Sequence, residues 1–212
     1  MKDKTRLLST LRLARTLVLV AATVATLGGC AAVAVGAAVG GTALVVTDRR
    51  SAGVQLEDQN IELKSLTRIR EAVGERGHIN VTSYNRMALI TGEVPTEADR
   101  TAVEQAVARI ENVRSTVNDL AVMGPSSLTA RSNDAILTSK VKATYVDAKD
   151  LQATAVKVVT ERGTVYLMGR VTEREASRAV ELARGIAGVQ KVVRVFEILS
   201  EAELATLGDQ KK

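Results

Sequence analysis

Along residues 132–199 the spacing of apolar positions changes period three times, and each change marks an element. In "SNDAILTSKVKATYVDA" (132–148), Leu137, Val141, Thr144, Tyr145 and Ala148 recur at helical spacing behind polar cap candidates. The period then falls to two. Val156 and Val158 alternate with Lys157, "ERG" offers a tight connection in which Gly163 can take φ > 0, and "TVYLMG" returns as the partner strand. Thr172 with Glu175 has the spacing of a capping box and opens a second helix. Past Gly188, valines at 189, 192, 193 and 195 mark a last strand. A helical crossover between the second and third strands requires a parallel return. The pattern therefore predicts helix, strand, strand, helix, strand, with a mixed three-stranded sheet packed against two helices.

The same pattern occurs earlier in the chain. "INVTSYNRMALITGEVPTEADRTAVEQAVARIENVRSTVNDLAV" (79–122) aligns with "VKVVTERGTVYLMGRVTEREASRAVELARGIAGVQKVVRVFEI" (156–198), with one extra residue, Pro95. Gly92 meets Gly169, Thr96 meets Thr172, and Thr96 with Asp99 repeats the capping-box spacing. The expected fold class is α+β: two tandem copies of one αββαβ domain, at 59–123 and 132–199. A linker is expected at 124–131 and a polar or weakly helical tail at 200–212.

The N-terminal stretch has neither period. Lys2, Lys4, Arg6, Arg12 and Arg15 precede an apolar run from Leu17 to Leu27, followed by small residues at 28 and 29, which reads as an export signal over 1–29. The chain's one cysteine, Cys30, comes next. A single cysteine has no disulfide partner within the chain. The segment "LGGC" resembles the lipobox of bacterial lipoproteins, and that resemblance makes Cys30 the lipid-bearing first residue of the mature chain, followed by a small-residue tether over 30–58. Ala31, in place of the aspartate that commonly retains such proteins at the inner membrane, points to the periplasmic face of the outer membrane. The alternative is an uncleaved anchor, because apolar character resumes after Cys30; glycines at 28, 29, 36, 40 and 41 weaken one long helix there.

Composition narrows the chemistry. With no Trp, one Phe and three Tyr, the core must be aliphatic, and stacking on nucleic-acid bases is disfavoured. His78 is the lone histidine, so Ser132 and Ser139 lack a base within their repeat and no second His or Cys completes a metal site. No catalysis, cofactor, metal or nucleic-acid partner is expected. The net charge of +5 lies partly in the export signal. The two copies differ: residues 60–123 hold eight basic and nine acidic side chains, residues 131–199 twelve and eight.

The strand ending "LMG", the helix opening "VTEREA" and the "GVxxV" that follows resemble the BON domain. A lipobox followed by two such copies is similar to the dual-BON outer-membrane lipoproteins. "TDRRSAGVQLEDQ", "INVTSYN", "SND" and "TSKVK" add to the match, which covers residues 30 to about 199. The resemblance implies a non-enzymatic, lipid-anchored protein that supports outer-membrane integrity. It also implies binding of anionic phospholipid, phosphatidylglycerol or cardiolipin, through the first helix of the second copy. On that helix Ile136, Lys140, Lys142 and Val146 fall outside the inward stripe, giving an apolar group to insert and ammonium groups to meet phosphate. Ile136 stands where relatives carry Trp. The alternative is a protein-interaction adaptor for envelope-assembly or cell-division machinery.

Overall fold

Two serines set where the copies begin. In the computed structural model, which describes residues 48–209, the Ser51 hydroxyl accepts from the Val54 N–H and opens α1 (Ala52–Val73). The chain continues as β1 (His78–Tyr84), β2 (Met87–Val94), α2 (Glu97–Ala108) and β3 (Ser115–Val122). The Ser127 hydroxyl accepts from the Ala130 N–H and opens α3 (Leu128–Asp147), after which come β4 (Val156–Glu161), β5 (Thr164–Thr172), α4 (Glu173–Arg184) and β6 (Lys191–Leu199). Both opening helices thus start ahead of residues 59 and 132, and the stretch read as a linker supplies the first turn of α3. A last helix, α5 (Glu201–Asp209), follows. The export signal, Cys30 and the tether as far as residue 47 lie outside the described residues, as do residues 210–212.

Each copy is α+β with the expected topology. β1 pairs antiparallel with β2 and β2 parallel with β3; β4, β5 and β6 repeat the arrangement. The hairpin turns use positive φ at Asn85 and Arg86 in one copy and at Arg162 and Gly163 in the other, the twist that a two-residue hairpin needs. One buried aspartate from each opening helix holds each turn. Asp58 accepts from the Asn85 and Arg86 N–H groups, and Asp134 accepts from those of Arg162 and Gly163. The capping boxes differ. In copy two Glu175 returns to the Thr172 N–H, whereas the shorter Asp99 accepts from the Thr96 hydroxyl instead, so only copy two completes the reciprocal pair.

Three cores result. Ile61, Ile69, Ile90, Val103 and Val107 fill copy one between sheet and helices, and Val141, Tyr145, Val165, Leu167 and Ala179 fill copy two. The third lies between the copies: Tyr84 and Leu89 from one sheet meet Tyr166, Met168 and Val195 from the other. The two sheets therefore pack face to face, with their helices on the outer faces. This explains why the central strands β2 and β5 are almost wholly buried and run apolar on both faces.

Candidate functional site

α3 presents the residues expected to meet lipid. Leu137, Val141 and Tyr145 turn inward, and the Tyr145 hydroxyl donates to the Ala179 carbonyl at 2.8 Å, fixing the helix against α4. On the outer side Ile136 is 53% exposed and Val146 74% exposed, with Lys140 and Lys142 also exposed. At about 100° per residue, Ile136 and Lys140 share one flank and Lys142 and Val146 the other. Ile136 and Lys140 line a cleft of about 550 Å³ whose other wall includes Gly163, Gly188 and Gln190; Lys142 and Val146 lie outside it. Among the described residues neither lysine is held in an ion pair. Some cations of this copy are engaged, Arg178 by Asp150 and Glu181, Arg194 by Glu173, and Arg170 by Glu197, while Arg174 on α4 is as unpaired as the two lysines but lies on the other helix.

The early start of α3 adds a residue that the sequence reading missed. Leu128, 79% exposed, stands five helical turns before Val146 and on the same line. The signal was Ser127 as an N-cap ahead of "LTA".

A second constellation, also missed, joins the copies. The segment before α1 crosses to copy two, where the buried Arg49 guanidinium donates to both Glu175 oxygens at 2.7 and 2.8 Å, to the Arg170 carbonyl and to Gln152. Arg49 holds the Glu175 carboxyl below the usual carboxylate range, against the opposing effect of burial. Arg50 pairs with Asp48 and Asp58 and lies over the Tyr84 ring at 4.2 Å. Around the shared apolar core, Asn80 donates to Glu161, Asn85 to Glu197, Tyr166 to Asp119, and Lys157 to Glu62 and the Ser83 carbonyl. Burial pushes the Glu161 carboxyl up, with Asn80 opposing.

Among the described residues no group of three or more His, Cys, Asp or Glu side chains is placed to hold a metal, and no helix is long and apolar enough to cross a membrane. His78 opens β1, partly buried, with its ring nitrogen 3.2 Å from the Asn80 amide.

The sequence matches the BON domain over residues 57–124 and again over 133–200. The chain belongs to the BON family. Within that family, it is 36% identical over 185 residues to the outer membrane lipoprotein DolP of Haemophilus influenzae, covering 86% of this chain and 94% of that protein. It is also 31% identical over 151 residues to the 21 kDa hemolysin of Actinobacillus pleuropneumoniae, covering 70% of this chain and 78% of the relative. The two BON copies and this near full-length likeness make the chain an outer-membrane envelope protein.

Proposed function

We propose that this BON protein is anchored by lipid at Cys30 and binds anionic phospholipid, phosphatidylglycerol or cardiolipin, on α3 of its second domain, in a non-enzymatic role that supports the outer membrane. The observation that carries the reading is the outer side of α3. Leu128, Ile136 and Val146 project into solvent beside Lys140 and Lys142, whose charges no carboxylate of the described chain occupies. An apolar ridge with ammonium groups on both flanks suits the boundary between headgroups and acyl chains.

Vesicle co-sedimentation of the full chain without its lipid tests this. Binding is expected to phosphatidylglycerol vesicles, not to zwitterionic ones, and to fall as salt rises. Each lysine near an anionic surface contributes about 1 kcal/mol, so removing both should weaken binding about thirtyfold at low salt. Lys140→Ala with Lys142→Ala should therefore far exceed Arg174→Ala on α4, and Ile136→Trp should strengthen binding through a ring suited to the headgroup level. Equal effects of the α3 and α4 changes would refute the site. Anchoring is tested separately: the N-terminal peptide of envelope-purified protein should begin at Cys30 and carry acyl mass, and recovery of intact Met1-containing chain would refute it.

A further inference from the structure

The first copy has its own unexplained surface. Asp58 and Asp134 make the same clamp on their hairpin turns, so each α1 residue corresponds to the α3 residue 76 positions later. Leu56, Leu63 and Leu66 of α1, 60%, 64% and 64% exposed, then correspond to Ser132, Ser139 and Lys142. The fold itself accepts polar residues at all three positions. Three solvent-facing leucines there are a property of copy one's surface, and an exposed apolar cluster marks a place of contact.

Leu63 and Leu66 are not on a flat face. With Ile69 they form one wall of a groove of about 450 Å³, and Ile79 and Val81 of β1 form the other. β1 is an edge strand, paired only with β2. Lys157 closes one end of the groove by donating to Glu62 at 2.9 Å and to the Ser83 carbonyl at 3.1 Å, and Glu62 takes the Ser83 N–H, so that of the alternate residues of β1 that face away from β2, Ile79 and Val81 remain for a partner strand. Near the other end stands Arg70, exposed, one helical turn beyond Leu66. Among the described residues no carboxylate pairs with it. A helix beside an open strand edge, with apolar walls and a cation at one end, has the geometry of strand addition: main-chain hydrogen bonds to the edge, and alternate side chains in the groove.

We propose that this groove takes an extended peptide segment of a partner protein, added to β1 as a fourth strand, with apolar side chains at alternate positions and an acidic residue at the Arg70 end. The stretch 78–82 around these two residues spans about 17 Å of strand, which sets the length of the segment. A second copy of this chain fits less well, because three leucines fall far short of the roughly 1,000 Å² that a stable dimer needs. A bilayer fits less well too, because the open strand edge needs donors and acceptors that acyl chains lack. This surface is separate from the α3 lipid site.

The test uses the mature lipidated chain in zwitterionic nanodiscs and a fluorescein-labelled six-residue probe, valine alternating with threonine and ending in aspartate, made in both directions. Saturable anisotropy change is expected in one direction, with slowed hydrogen exchange at the outward amides of Ile79 and Val81. Leu63→Ser with Leu66→Lys, the residue types that copy two carries on the same fold, should weaken the probe at least about tenfold. Arg70→Glu should weaken the aspartate probe and spare one ending in lysine. N-methylation of alternate probe amides should abolish binding. No saturable binding at millimolar probe would overturn the proposal, and so would equal binding of the N-methylated probe. Loss of anionic vesicle binding in the Leu63 and Leu66 variant, with the probe titration unchanged, would also overturn it. The probe titrations do not bear on Lys140 and Lys142; only the vesicle outcome would.

Discussion

Arg49 ties the segment before α1 to the far copy, and its removal should cost more than any other single surface-adjacent change. Arg49 is 7% exposed, and its guanidinium meets three acceptor groups: the Glu175 carboxylate, the Arg170 carbonyl and the Gln152 amide oxygen. Arg49→Met keeps the aliphatic stem and leaves Glu175, itself 5% exposed, with the Thr172 N–H and hydroxyl as its remaining partners. Breaking a buried ion pair from one side costs about 3 to 5 kcal/mol, because the surviving charge stays desolvated. Adding Glu175→Gln should recover a large part of that loss, since no orphan charge remains, giving a coupling of about 2 kcal/mol or more. Urea unfolding at pH 7 of wild type, both single variants and the double measures it. The pH dependence has a fixed sign. Arg49 depresses the Glu175 carboxyl, so the pair's stabilisation is present above the unfolded carboxylate value of about 4.3 and is lost as pH falls through the lower folded value. The gap between wild type and Arg49→Met should therefore narrow in acid. A cost below about 1 kcal/mol, or a gap that widens in acid, would refute the lock.

Three further outcomes follow from burial. Leu167 is fully buried in β5, so Leu167→Ala should cost about 2 to 5 kcal/mol in chemical denaturation. Gly92 has φ of 116°, and a β-carbon there would run into the His78 carbonyl oxygen on the paired strand. Gly92→Ala should thus disrupt the β1–β2 pair, seen as lost hydrogen-exchange protection in copy one. Burial raises the Glu161 carboxyl, so the stability linked to its protonated form is complete below about pH 4.3 and lost as pH rises through the folded value. Glu161→Gln should accordingly raise Tm near neutral pH and give no gain at pH 4.

What the sequence made legible was local. The Thr172 and Glu175 spacing, the Arg162–Gly163 turn and the alternation in β4 each involve residues within a few positions of one another, where backbone geometry alone links pattern to structure. The repeat extended the same reading to copy one. The outward placement of Ile136, Lys140, Lys142 and Val146 also follows from helical periodicity. The long-range contacts were not legible. Arg49 and Glu175 are 126 residues apart, and nothing in "TDRRSAG" shows that one arginine faces the other copy and its neighbour faces Tyr84. Asp58 and Asp134 look like ordinary polar residues of a helix until the turn amides they hold are seen. The run "VYLMG" carried a clue to the third core, since apolar residues on both faces of a strand need a cover on both.

That third core changes how lipid binding must be measured. Cutting the chain into single BON copies would uncover Leu89 and Tyr84 on one fragment and Tyr166, Met168 and Val195 on the other, all buried where the sheets meet. Exposed apolar faces of this kind adsorb to membranes and to each other without any specific site. An isolated second copy that bound vesicles would therefore say little about α3, and an isolated first copy would be no clean control. The cut also removes Arg49 from Glu175, leaving a buried carboxylate without its cation at the start of α4. Point changes in the intact chain avoid both artefacts. Lys140 and Lys142 lie on the outer layer of one copy, and Leu63 and Leu66 on the outer layer of the other, so either pair can be altered without touching the sheet-to-sheet core. Binding lost by one pair and kept by the other would assign lipid and peptide to separate faces of one molecule.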